Sequence, residues 1–390
     1  MSAGSPRSVV FVVDGLGLSG KTRTLAYLAT HLDPIRYRPI VCSLSEEASV
    51  LQDQLTAADI PVHYIPSRDG LDLRAIRQIG RLIRANRTAV VHCYNPRPIL
   101  YGGIAARVLG IRARVGTLSA FACQVPDRTY DFLPQPLTTT SRRNIWRNRV
   151  GIGLMRYVTT VSPSLGTRFC DYNGISLDKL RVVPYGADLS AVEGVTEAAA
   201  AQLRQELGWA SSDIVVGSVG RLVEQKDYPT QLKAFKLATE KVPQLRMALA
   251  GDGPLAAPLQ DMVRDLGLSD RVQFLGHWTR VPALLRAMDI FVLASKFEPF
   301  GVAILEAKAA GAAIVATRVN EIPEIVSDGD SGLLSESGDA VAMAESFTRL
   351  ALDPSLRARI GASARQDARE RHSLASVVDA YQQLYDACSN

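Results

Sequence analysis

The chain predicts an α/β protein of two Rossmann-like domains. Apolar strands alternate with longer helical patterns from end to end, the alternation runs twice over roughly 190 residues each, and 390 residues exceed one ordinary domain. In the first half the strand-like runs are VVFVV (9–13), PIVCSL (39–44), PVHYI (61–65), AVVHCY (89–94), ARVGTL (113–118), YVTTV (157–161) and RVVPY (181–185). The second half supplies IVVGSV (214–219), RMALAG (246–251), VQFLG (272–276), IFVLAS (290–295) and AAIVAT (312–317). Helical stretches such as Thr230–Lys241 and Ala257–Leu266 separate them. Apolar strands with helices between them are what a parallel sheet covered on both faces requires.

The seam shows in composition. After Val183-Pro184-Tyr185-Gly186-Ala187-Asp188 comes a small-residue helical stretch that belongs to neither run of strands, so a linker is expected near 187–212. This places a first domain over 1–188, a second over 189–372 and a terminal helix over 373–390. In that helix Leu374, Val377, Val378, Tyr381, Leu384 and Tyr385 recur at helical spacing, an apolar stripe that must pack on something. Ligands of open parallel sheets bind beyond the carboxyl ends of the strands, so the expected site is a cleft between the two sheets.

Composition excludes several classes. Apolar residues are 47% of the chain, enough for full cores, and no run approaches the roughly 18–20 apolar residues of a membrane span. The first residues read as a strand rather than a signal peptide. Cys42, Cys93, Cys123, Cys170 and Cys388 are scattered with no CxxC pair, which argues for reduced thiols in a cytoplasmic setting and against a disulfide framework or a zinc site. A net charge of +5 calls for no nucleic-acid partner. Its distribution is uneven: 132–170 holds no Asp or Glu but carries Arg142, Arg143, Arg147, Arg149, Arg156 and Arg168. That segment, 142–156 above all, reads either as a surface facing anionic lipid at the inner membrane face or a phosphate-bearing acceptor, or as a solvated helix face.

The most informative stretch runs from the strand at 289–294 through Ser295-Lys296-Phe297-Glu298 into Pro299-Phe300-Gly301-Val302 and on to Glu306 and Gly311. Proline suits the first helical position, where its missing N–H costs nothing, so a helix starting at Pro299 is expected. The N–H groups of Phe300, Gly301 and Val302 would then form an anion and hydroxyl seat. On one continuous helix, Glu298 and Glu306 would stand about 80° and roughly 12 Å apart, suited to the two ends of an extended ligand and not to sharing a proton.

Together with GSVGRLVEQKD (217–227), ALAGDGPL (248–255), VQFLGH (272–277), EIPEIVSDGDSGLL (321–334), VTTVSPSL (158–165) and RVVPYGAD (181–188), this segment resembles the retaining glycosyltransferases of family 4 (glycosyl transferases group 1), through most of the chain. The resemblance implies the GT-B fold: two facing Rossmann-like domains with a C-terminal helix crossing back to the first. It implies transfer of a sugar from a nucleoside diphosphate, UDP before GDP, to a glycan, lipid-linked or small-molecule acceptor, with retention, and with no cofactor or metal. Glu298 would bond the donor sugar and Glu306 the ribose diol, while Arg221 and Lys226 would grip the diphosphate; their positive charge suits the charge left on the leaving group. Gly251 and Gly253 read either as a turn bringing backbone to the base or phosphates or as an ordinary strand-to-helix turn.

Two motifs compete. Gly15-Leu-Gly-Leu-Ser-Gly20-Lys21-Thr22 satisfies the P-loop pattern and gives the alternative of a nucleotide-dependent phosphotransferase or NTPase. LRMALAGD (245–252), in the other half, is its only weak acidic partner. The resembling family carries a glycine-rich loop here, which makes Gly15, Gly17 and Gly20 the donor-phosphate approach. Asp328-Gly329-Asp330 has the form of a metal-binding DxD but the setting of a polar turn. A third alternative is a catalytically weak sugar-nucleotide-binding protein on the same scaffold. On the acceptor side His92 ends a strand, and reads either as facing the cleft or as a buried or capping histidine. Ser119 stands where the family often has a second histidine, which puts a histidine-assisted step in doubt.

Overall fold

Among the described residues thirteen strands form two sheets in which every pairing is parallel. The structure is a computed structural model and describes residues 5–17, 20–46, 50–68, 70–118, 142–298 and 301–389. The chain divides into two compact units, one of Met1–Gly186 with Leu374–Asn390, the other of Ala187–Ser373.

The first unit holds β1 (Arg7–Val13), β2 (Tyr37–Ser43), β3 (Val62–Tyr64), β4 (Val90–Tyr94), β5 (Ala113–Thr117), β6 (Tyr157–Thr160) and β7 (Leu180–Val182), in the order β3-β2-β1-β4-β5-β6-β7. The second holds β8 (Ile214–Val219), β9 (Leu245–Ala250), β10 (Val272–Gly276), β11 (Ile290–Leu293), β12 (Ala313–Thr317) and β13 (Leu333–Ser335), in the order β10-β9-β8-β11-β12-β13. Each sheet winds outward in both directions from a central pair, β1 beside β4 and β8 beside β11. At such a reversal the helices that follow the two strands lie on opposite faces, which opens a crevice at the carboxyl ends. The central strands are apolar throughout because both faces are covered: Val9 to Val13 and Ile290 to Leu293 are all buried. All twelve expected strands form. The thirteenth, β13, is three residues long and hid in Gly-Leu-Leu after the Asp328-Gly329-Asp330 turn.

The stretch expected as a linker is instead a packed helix, Glu197–Glu206, within the second unit. Its Ala200 and Leu203 are buried, and Arg204 donates to the carbonyls of Ala287 and Asp213. Its small residues allow close packing, which composition alone mimics as a linker.

The terminal helix, Leu374–Ser389, completes the core of the first unit with Val377, Val378, Tyr381, Leu384 and Tyr385. Its outer edge is tied by Asp386 to Arg7 and Arg36. Under it lies His92, which the structure removes from the acceptor side. His92 is fully buried, with Nδ1 2.7 Å from the Tyr385 hydroxyl and Nε2 2.7 Å from Thr117 Oγ1. Both nitrogens are used internally, so none is left to face a ligand. Burial drives its pKa down to about 3. Ser119 lies outside the described residues. Cys42, Cys93, Cys170 and Cys388 are buried free thiols. No helix among the described residues is long and apolar enough to cross a membrane.

His92 therefore stays neutral in the fold while the unfolded chain takes up a proton below about 6.5. Its contribution is present above that pH and is lost as pH falls from there toward 3. Urea midpoints at pH 7.5 and 5 should drop further in the wild type than in His92→Gln. Tyr385→Phe should cost about 1–3 kcal/mol at neutral pH by leaving His92 Nδ1 unpartnered.

Candidate functional site

The candidate site is built on the carboxyl ends of β8 and β11. Beyond β8 the chain passes Gly220 and Arg221 and makes one 3-10 turn, Glu224–Lys226. Asp227 then adopts the left-handed conformation (φ 46°) as the first cap of the helix Tyr228–Thr239. That sharp corner presents the Lys226 ammonium across to β11, where it pairs with Oε2 of Glu298. The Ser295 hydroxyl donates to the same oxygen at 3.1 Å. Only 9% of the Glu298 side chain is exposed, and a carboxylate that buried requires such partners.

The loop carrying Glu298 is held from three directions. The Asn320 side chain accepts the Glu298 N–H at 3.1 Å, and Gln225 donates to the Phe297 carbonyl at 2.8 Å. The Thr317 hydroxyl donates to the Ser295 carbonyl at 2.7 Å. Asn320 sits at φ 45°, a left-handed conformation that asparagine tolerates better than most residues. Ser295, Asn320, Gln225 and Thr317 escaped the sequence reading; the only signal was an asparagine soon after a strand end, too common to single out.

Arg221 is exposed and makes no ion pair or hydrogen bond among the described residues. It differs in this from Lys226. The two cations expected to act as a pair thus stand in different states: Lys226 is already neutralised by Glu298, and Arg221 is available.

The helix expected from Pro299 runs Val302–Ala310, with Gly301 as its cap at φ 84°. Pro299 and Phe300 lie outside the described residues. Glu298 is therefore not on the same helix as Glu306, and the 80° relation does not apply. With the helix starting at Val302, its first N–H groups are those of Val302, Ala303 and Ile304, of which the Ile304 N–H bonds the Gly301 carbonyl at 2.8 Å. A side chain on Gly301 would press on Ile322 at 3.0 Å. Glu306 is partly buried in the middle of this helix. Lys308, two residues on, is fully buried, donates to the Ile325 carbonyl at 2.5 Å and pairs with Asp367. Burial lowers its pKa. This pin fixes the helix against Pro354–His372 and so fixes where Glu306 stands.

Gly251 and Gly253 lie where the loop after β9 packs backbone against backbone on the loop after β8. A Cβ on Gly251 would lie 1.9 Å from the Gly220 carbonyl oxygen, and one on Gly253 2.5 Å from that of Leu222. Backbone bonds Gly220 N–H to Ala250 O (2.9 Å), Leu222 N–H to Asp252 O (2.9 Å) and Gly251 N–H to Gly276 O (2.8 Å) laminate the loops after β8, β9 and β10. The glycines are there because backbone meets backbone.

In the first unit the loop after β1 carries Gly15 and Gly17, and the helix Gly20–His31 follows. The Thr22 hydroxyl donates to the Gly17 carbonyl at 2.6 Å, which commits to loop closure the group a P-loop presents to magnesium. Across β4, Asn95 donates to Asp14 at 3.3 Å. Asp328 accepts from Arg318 (2.6 Å) and from the Leu334 N–H (2.9 Å), so the DxD-like turn is internally satisfied. The described residues hold no cluster of three or more His, Cys, Asp or Glu that could bind a metal.

Two parallel sheets, each with a reversal crevice, define a GT-B architecture. Residues 18–191 match the family model Glycosyltransferase Family 4 and residues 200–367 the model Glycosyl transferases group 1. The chain belongs to this glycosyltransferase family, and the NTPase alternative finds no support. It is 34% identical over 185 residues to the N-acetyl-alpha-D-glucosaminyl L-malate synthase of Bacillus anthracis, 47% of this chain and 48% of that protein. It is 25% identical over 316 residues to the alpha-D-kanosaminyltransferase of Streptomyces kanamyceticus, 80% of this chain and 78% of that one. The chain thus spans about half the length of the first of these relatives. Among solved structures, Anabaena HepE in complex with UDP superposes with a TM-score of 0.80 at 21% identity, over 97% of this chain and all of that one.

Gly251→Ala should separate the laminated loops and cost about 2 kcal/mol or more. Thermal unfolding against Gly267→Ala, a left-handed glycine (φ 65°) with open space around it, isolates the clash from the conformational cost. Equal losses in the two variants would remove the lamination argument.

Proposed function

We propose that this protein transfers a sugar from a nucleoside-diphosphate sugar to a glycan, lipid-linked or small-molecule acceptor. The observation that carries the reading is the pairing of Lys226 with Glu298 across the β8–β11 crevice, with Arg221 unneutralised beside it. A strand-order reversal is where an α/β sheet binds nucleotides, and an available guanidinium there suits a diphosphate.

In this reading the second unit holds the donor. Arg221 meets the diphosphate together with the Val302 and Ala303 N–H groups, Glu306 takes the ribose diol, and Glu298 orients the sugar hydroxyls. Lys226 holds the Glu298 carboxylate in place by their ion pair, and shares its charge with the phosphates when the donor arrives. Charge develops on the diphosphate as the glycosidic bond breaks, and fixed cations stabilise it without a metal. The acceptor hydroxyl attacks the anomeric carbon on the face the diphosphate leaves. A phosphate oxygen takes its proton, and configuration is retained. UDP is favoured over GDP as the nucleotide, a preference supported by the UDP bound to HepE. The first unit receives the acceptor, with the Gly15–Gly17 loop approaching the phosphates. The protein works in the cytoplasm, peripheral to the inner membrane face through its basic 142–156 segment.

Two measurements test this. UDP or GDP release from a panel of sugar nucleotides should persist in EDTA; strict magnesium dependence with ATP as substrate would sink the transferase reading. Glu306→Ala should weaken donor binding by about 1–3 kcal/mol in calorimetry. An unchanged affinity would remove Glu306 from the ribose.

A further inference from the structure

The first unit carries a second polar basin that the transferase reading does not use. It has a volume of about 890 Å³ and lies at the amino ends of β5, β6 and β7. The strands are parallel, so this is the opposite end of the sheet from the Gly15 loop and Asn95. Its walls present Arg107, Arg112, Arg114, Arg156, Lys179 and Arg181 against a single carboxylate, Asp178.

Two of these cations have structural duties. Lys179 donates to the carbonyls of Gly153 and Met155, both at 3.0 Å, and Arg114 donates to that of Leu154 at 2.6 Å. Together they cap the carboxyl end of the helix Arg142–Leu154 and form the floor. Arg107, Arg112, Arg156 and Arg181 line the walls. Arg156 and Arg181 both lie against the Tyr157 ring, at 5.4 and 4.5 Å from its centre. Arg181 is further tethered by the carbonyls of Asp178 and Leu180. None of the six makes an ion pair among the described residues. The crowding is felt within the cluster: burial and then neighbouring arginines lower the pKa of both Arg114 and Lys179. Like charges are held together here by stacking and backbone carbonyls, with the counter-charge missing.

We propose that this basin binds a phosphate group carrying two or more negative charges, at a site separate from the sugar-nucleotide site. The chemistry that recognises it is the planar guanidinium fork, matched to phosphate oxygens and pre-positioned on Tyr157. A concave wall of one sign concentrates field and selects for multiply charged anions. The phosphate reaches it either free in solution or as the headgroup of a lipid. The inference does not rest on the donor-site reading.

The test uses the full chain. Tripolyphosphate binding is followed by calorimetry, and sedimentation is measured with vesicles of phosphatidylcholine alone or with added phosphatidic acid. The variant is Arg156→Gln with Arg181→Gln; the charge-matched control is Arg77→Gln with Arg81→Gln, two exposed arginines on the helix Leu73–Ala85. Loss of tripolyphosphate affinity by about tenfold or more in the variant, with the control unchanged, supports the site and a soluble ligand. Retention of phosphatidic acid vesicles by the wild type and control but not the variant, without tripolyphosphate binding, supports it with a lipid headgroup. Absence of both kinds of binding, or an equal loss in the control, overturns it. Arg107→Gln with Arg112→Gln gives the same readout should the first variant misfold. Sugar-nucleotide binding should be unchanged in every basin variant.

Discussion

The Lys226–Glu298 ion pair joins two loops that are 72 residues apart in sequence. Most of the second unit's loop structure can be read as support for it. A buried carboxylate must be paired and hydrogen-bonded or it will not stay charged. The Ser295 hydroxyl and the Lys226 ammonium, delivered by the left-handed turn at Asp227, meet that requirement at the Glu298 carboxylate, while Asn320 and Gln225 hold the backbone beside it. Below it, Tyr228 donates to the Gly220 carbonyl at 3.1 Å, and burial raises its pKa to about 12. The loop that presents Arg221 is thereby tied to the same frame.

The glycines of the second unit follow from a related constraint. Three loops leave adjacent parallel strands at one end of the sheet, and their backbones must lie against one another to bond. Gly251 and Gly253 leave out the Cβ atoms that would stand inside that layer. Their presence in these loops is a consequence of parallel topology. Lys308 plays the corresponding part for the helix Val302–Ala310, anchoring it from behind through Asp367.

The two units manage polar burial differently. In the first, the terminal helix brings Tyr381 over His92, Thr117 and Thr159, and the hydroxyls and imidazole of this group bond one another at 2.6–3.2 Å. His92, expected at a strand end, is the middle residue of β4, and the terminal helix covers it. At the other end of the same sheet the arginines of the basin remain without counter-charge. Charge left unneutralised at one end, and fully satisfied polar groups at the other, show that these ends answer to different demands.

The sequence by itself determined the local elements. Apolar runs marked twelve strands, and the stripe from Leu374 to Tyr385 marked the terminal helix, because side-chain periodicity is a property of neighbouring residues. Motif spacing singled out Glu298 and Lys226, which the fold pairs, Arg221 on the loop after β8, and Glu306 on the helix Val302–Ala310. It misplaced the helix start, since a proline fits several turn positions and Gly301 at positive φ resets the helix axis. It took the 187–212 segment for a linker, whereas its small residues pack as a helix of the second unit, and it did not reveal the backbone that Gly251 and Gly253 admit. Strand order, the reversal between β8 and β11, the burial of His92 and the convergence of six basic side chains were decided by tertiary structure alone. Each depends on contacts between residues tens to hundreds of positions apart, and no local pattern encodes which strand will lie beside which.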